Sequence, residues 1–297
     1  MSEAQRLQIE DMLRAAPDLA GVTVEEMRTA FDQIGLVTPP DVDVTTESLS
    51  ANGVNVKLIK SADVRSDRSI LFCHSGGYVM GSLHSHLGFV SRVGKAARAP
   101  VFFVEYRLAP EHIYPAAVED TINAYRWLLD SGRDPSTITF VGDSAGGTLV
   151  IAALLKAREE NIPMPSSAVL LSPFADLTAS GDSLIEKDAV DLQASTEMVK
   201  VLADLYLGGT DPSAPEVSPV YADLAGFPPL LLHVGTHEAL LDDTLRLVRR
   251  AAIADVSVTM KAWPRLQHQW QLYAGMFEEG QESIDEAGEF IRQHFDR

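Results

Sequence analysis

The stretch TITFVGDSAGGTLVIAALLKAREE, residues 137–160, decides the fold. Its first five residues are β-branched or aromatic, the composition of a buried strand. Its last thirteen are rich in Ala, Leu, Lys, Arg and Glu, the residues that favour a helix. Between the two, Gly142-Asp143-Ser144-Ala145-Gly146-Gly147 turns the chain. A strand that passes through G-x-S-x-G straight into a helix is the setting of a nucleophile elbow. The serine then sits in a strained turn, so the residues two places to either side must lack clashing side chains. The first N–H groups of the helix point at the same spot and favour an anion there. The motif alone arises by chance in roughly one chain of this length in ten. The plain alternatives are a Gly-rich joint or a phosphate-binding turn, but no G-x-G-x-x-G and no Walker lysine accompany it.

Outward from this stretch, short apolar runs alternate with longer helical patterns. Strands are expected at residues 55–59, 69–74, 101–105, 137–141, 168–171, 230–234 and 256–262. Helices are expected near 85–98, 116–129, 146–158, 243–254 and 281–295. This alternation predicts βαβ units and an α/β fold, with a mostly parallel central sheet and helices on both faces. The runs SILFC, VFFVEY and LLLHV are almost wholly apolar, as strands covered on both faces must be. Two regions break the pattern. Residues 1–45 suggest two helices, around 4–15 and 24–34, and residues 181–215 hold one near 196–207. Both are expected to be helical cap segments added to a core made of residues 46–180 and 216–297.

The 297 residues carry 24 Lys and Arg against 42 Asp and Glu, a formal net charge of −18. Such a surface repels phosphate backbones and anionic lipid, which argues against nucleic-acid and membrane partners. Cys73 is the single cysteine, so an internal disulfide framework and a cysteine-rich metal site are excluded. No run of 18 apolar residues suggests a membrane span. The first residues include Glu3, Glu10 and Asp11 and no apolar h-region, unlike a secretory signal. A cytoplasmic location is expected.

A nucleophilic serine needs backbone N–H donors aimed at the negative oxygen that its attack creates. Ala145, directly after Ser144, is one expected donor. The others should come from a glycine loop after an earlier strand, and His74-Ser75-Gly76-Gly77-Tyr78 follows the strand at 69–74. Here the chain resembles the hormone-sensitive lipase family of α/β-hydrolases, in its bacterial esterase branch. The stretch from Tyr106 to His112, YRLAPEH, with Tyr114-Pro115-Ala116-Ala117 after it, is similar to that family's hallmark segment. The extended elbow 142–147, residues 228–243 and the surroundings of His268 also resemble it. The likeness runs from about residue 50 to the C-terminus. It implies the α/β-hydrolase fold, oxyanion donors at Gly76 and Gly77, and a structural role for His74. Ser75 departs from the family's His-Gly-Gly-Gly, which puts the approach of the loop in question.

Ser144 also needs a histidine base, and the base needs a carboxylate. In an α/β-hydrolase the chain order is serine, acid, histidine. Four histidines follow Ser144: His233, His237, His268 and His294. His233 lies inside an apolar strand and His294 on the final polar helix. His268 lies in a loop just after a strand, in a setting similar to the family's histidine loop, and is the expected base. The acid should project just past the strand at 230–234, which favours Glu238 over Asp242. Asp242 and Asp243 have a ready role as acidic residues at a helix N-terminus. The family more often carries Asp at the acid position.

The set of residues predicts carboxylic ester hydrolysis through an acyl-enzyme, with no cofactor and no metal, and the resemblance implies short to medium acyl esters as substrates. An amidase or lactonase would use the same residues. A non-enzymatic binding protein on this fold would normally have lost a member of the set Ser144, Glu238, His268. A homodimer through the edge strand at 256–263 is a further expectation from the resemblance.

Overall fold

The computed structural model describes residues 3–16, 21–40 and 43–295. Eight strands form one sheet: β1 (Thr45–Ala51), β2 (Val54–Lys60), β3 (Ser69–Cys73), β4 (Val101–Val104), β5 (Ile138–Asp143), β6 (Ser167–Leu171), β7 (Leu230–Gly235) and β8 (Val258–Trp263). Their order is β1-β2-β4-β3-β5-β6-β7-β8. The pairs β1/β2 and β2/β4 are antiparallel, and every later pair is parallel. All seven expected strands are present. β1 was not expected from its sequence: TTESLSA is polar, and most of it is exposed. Its one local signal is the Asn52-Gly53 turn, where both residues have positive φ, the requirement of a tight hairpin.

The helices are α1 (Glu3–Ala15), α2 (Val24–Asp32), α3 (Ile34–Val37), α4 (Leu83–Ala97), α5 (Ala116–Asp130), α6 (Ala145–Glu159), α7 (Ser183–Glu186), α8 (Thr196–Leu207), α9 (Leu241–Ile253) and α10 (Glu278–His294). Alternate side chains of the central strands enter two separate cores. Leu71, Phe102, Phe140 and Leu232 face one side, with buried residues of α5, α6, α8 and α9. Ile70, Phe72, Phe103 and Val141 face the other, with residues of α4, α10 and α1. Because both faces are covered, these strands show no polar alternation, and the apolar runs follow from that.

The N-terminal helices are tied to the core by polar contacts. Arg28 of α2 donates Nε–H to the Val79 carbonyl (2.8 Å) and Nη2–H to that of Ala109 (2.9 Å), and it pairs with Glu111 (2.7 Å). The Ser82 hydroxyl, at the start of α4, donates to Asp32 Oδ1 (2.7 Å). α3 packs so closely on α4 that a β-carbon at Gly35 would collide with the carbonyl of His84. The expected second helix, 24–34, is therefore two short ones that follow the surface of α4.

Candidate active site

In open parallel sheets, ligand sites lie beyond the carboxyl ends of the strands. The loops after β3, β5, β7 and β8 meet there, over a cavity of about 370 Å³ whose lining includes Gly76, Gly77, Ser144 and His268. Ser144 follows β5 directly and has φ 50° and ψ −119°, a backbone region that L residues rarely adopt. Its N–H donates to the Leu171 carbonyl (2.9 Å), and its carbonyl accepts from Gly147 and Phe174 (3.0 Å each). A β-carbon at Gly142 would strike the backbone of Gly146. One at Gly146 would strike the carbonyls of Cys73 and His74 at the end of β3. The steric requirement for small residues around Ser144 thus comes from the elbow folding back on itself and against the neighbouring strand.

His268 lies between β8 and α10. Its Nε2 is 3.0 Å from Ser144 Oγ, and its Nδ1 is 2.9 Å from Glu238 Oε2. With Nδ1 facing a carboxylate, the ring proton belongs there, and Nε2 accepts from the hydroxyl. Glu238 is fully buried, and its other oxygen, Oε1, accepts from the Ser172 hydroxyl (2.7 Å) and from the Gly235 N–H. Burial raises the Glu238 carboxyl above its ordinary value, against the pull of the three donors that converge on it. Burial likewise disfavours a charged His268. The hydrogen bond and charge of Glu238 outweigh this and raise the imidazole above its ordinary value.

The acids that follow Glu238 along the chain, Asp242 and Asp243, face elsewhere. Asp242 Oδ2 accepts from the Ser183 N–H (2.9 Å), and Asp243 Oδ2 accepts from the N–H groups of Ala175 (2.7 Å) and Asp176 (2.9 Å). Burial, with the charge of Asp176, pushes Asp243 to about 8. His233 is buried against Ser283 Oγ (2.8 Å), and burial lowers it to about 3, a neutral core histidine. His294 Nδ1 donates to the Phe290 carbonyl of its own helix (2.8 Å).

Gly76 (φ 109°) and Gly77 (φ 60°) hold left-handed backbone in the loop after β3. Ala145 opens α6, where the first N–H groups have no partner within the helix. His74 is buried and stacks on Tyr106 at 4.1 Å between ring centres, and the Tyr106 hydroxyl donates to its carbonyl (2.8 Å). Ser75, the unusual residue of the loop, is buried with Oγ 2.9 Å from His86 Nε2. His86 Nε2 in turn lies 3.5 Å from Asp143 Oδ2, next to Ser144. The serine is accommodated by a partner on α4.

The far wall of the cavity comes from the two regions outside the βαβ pattern. Leu13, Phe31 and Ile34 line it from the N-terminal helices, and Leu192, Met198 and Leu202 from the segment containing α8. Sequence reasoning missed Ser172, Arg28 and the 191–194 segment, whose contacts with the site come from far away along the chain.

Comparison with known proteins agrees with this geometry. The alpha/beta hydrolase fold family matches residues 70–272. An acetyl-hydrolase of Streptomyces hygroscopicus is 40% identical over 91% of this chain and 90% of its own length. An esterase of Acinetobacter venetianus is 32% identical over 95% and 94%. The crystal structure of an esterase from the bacterial hormone-sensitive lipase family superposes with a TM-score of 0.97, at 41% identity and 99% coverage of both chains. The chain belongs to the hormone-sensitive lipase family of α/β-hydrolases.

Proposed function

We propose that this carboxylic ester hydrolase cleaves short to medium acyl esters by a Ser144–His268–Glu238 triad. The observation that carries the reading is the unbroken hydrogen-bonded line from Glu238 through His268 to Ser144. Ser144 Oγ attacks the ester carbonyl while His268 Nε2 takes its proton. The N–H groups of Gly76, Gly77 and Ala145 hold the oxyanion, and Glu238 stabilises the imidazolium. As the tetrahedral species collapses, His268 gives the proton to the departing alcohol, leaving an acyl-Ser144. Water attacks the acyl group as His268 takes its proton; when the bond to Ser144 Oγ breaks, His268 returns that proton to the serine and the carboxylic acid leaves. Residues 1–45 and 181–215 act as the cap that shapes the acyl and alcohol spaces. The modest cavity and the acetyl-hydrolase relative support the restriction on chain length.

Hydrolysis of p-nitrophenyl acetate and butyrate tests the assignment. Ser144→Ala should abolish turnover, and Glu238→Ala should lower kcat about 10⁴-fold. Asp242→Asn should stay within about tenfold of the parent enzyme. A small loss in the Glu238 variant beside a large one in the Asp242 variant would transfer the acid role.

A further inference from the structure

Between α7 and α8, four consecutive residues touch both loops that carry the acid and the base. Asp191 is only 5% exposed. Its Oδ1 accepts from the N–H groups of Gln193 (2.9 Å) and Ala194 (3.0 Å), which fixes the segment locally. Its Oδ2 accepts from the N–H of Ala239 (2.7 Å), the residue after Glu238. Leu192 N–H donates to Gln267 Oε1 (2.9 Å), the residue before His268. The Gln193 side chain donates to the carbonyl of His268 itself and accepts from the Tyr273 hydroxyl (3.4 Å). The same four residues line the cavity.

We propose that Asp191 is a positioning residue that clamps the Glu238 turn and the His268 loop together through the segment 191–194. The inference rests on the triad reading above. The part of the cavity wall built by this segment is then mechanically joined to the acid and the base. Ordering of the cavity wall and ordering of the triad become one event. The clamp also carries charge. The charged groups facing His268 are Glu238 on the turn after β7, Asp191, and Asp143 at the end of β5, all negative. Each favours the imidazolium, so removing Asp191 makes His268 a weaker base.

The test compares Asp191→Asn, Asp191→Ala and Asp188→Asn with the parent enzyme on p-nitrophenyl butyrate. Asp188 accepts from Thr196 N–H (2.7 Å) at the start of α8 and touches neither loop, so its variant reports general damage to the segment. Asn at 191 keeps the shape but offers one acceptor oxygen and no charge. It should move the acid limb of kcat/KM to lower pH. Asp191→Ala should lose roughly 10- to 100-fold in kcat, the scale of a misplaced catalytic group, with KM changed less than about threefold. Unchanged pH limbs with parental kcat in both variants overturn the clamp, as does an equal loss in Asp188→Asn. Activity surviving in Ser144→Ala would instead overturn the triad reading, whatever the Asp191 variants do.

Discussion

In the proposed triad His268 is the base, buried beside the Glu238 carboxylate, and its pKa governs the pH response. Only the neutral imidazole can accept the Ser144 proton, so activity falls as pH drops through that pKa. Because Glu238 raises it, the acid limb of kcat/KM should lie above the ordinary histidine value of about 6.5. Glu238→Gln keeps the shape and removes the charge, so its residual activity should show the limb moved to lower pH. A pH–rate profile on a neutral p-nitrophenyl ester checks both, and an unmoved limb would count against Glu238 as the source. That Ser144, Glu238 and His268 would meet was legible in the sequence because each lies past a strand, in the chain order serine, acid, histidine. Asp191 was not, because it is one acid among 42 Asp and Glu. Its partner Ala239 is 48 positions away, and no local pattern records such a meeting.

Among the elements, α2 shows how an N-terminal helix can be fastened to the sheet domain. Arg28 reaches the carbonyl of Val79, on the loop that carries Gly76 and Gly77, and that of Ala109 in the YRLAPEH stretch. Arg28→Ala leaves both carbonyls without this donor and should destabilise the fold by about 1–3 kcal/mol. Thermal melting should drop by a few degrees, and KM should rise more than kcat falls. Parental melting and KM would show that α2 is held by its apolar contacts alone. The core strands could be read because burial on both faces makes them continuously apolar. β1 could not, because it sits at the sheet edge with most of its side chains in water, and its pairing with β2 is written only in the Asn52-Gly53 turn. The division of residues 24–37 into α2 and α3 was hidden for another reason: it answers to the surface of α4.

For the molecule as a whole, the formal charge of −18 acts on what approaches the cavity. Neutral esters feel little of this field, whereas an ester with a carboxylate on its acyl chain is repelled. Raising the ionic strength screens the repulsion. The kcat/KM of the anionic ester should therefore rise with salt while that of a neutral ester of equal size stays level. Parallel responses would leave the acidity without a part in substrate selection.

The first helix introduces an order of events. Gln5 of α1 accepts from the backbone N–H of Glu278, 273 positions along the chain, and Ile9 is buried in the core that includes Phe277 and Ile284. During translation at roughly 5–20 residues per second, α1 leaves the ribosome on the order of tens of seconds before that docking surface exists. Leu13, on the same helix, is part of the cavity wall. A nascent chain that already contains Ser144 therefore still lacks the α10 contacts that hold this part of the wall in place.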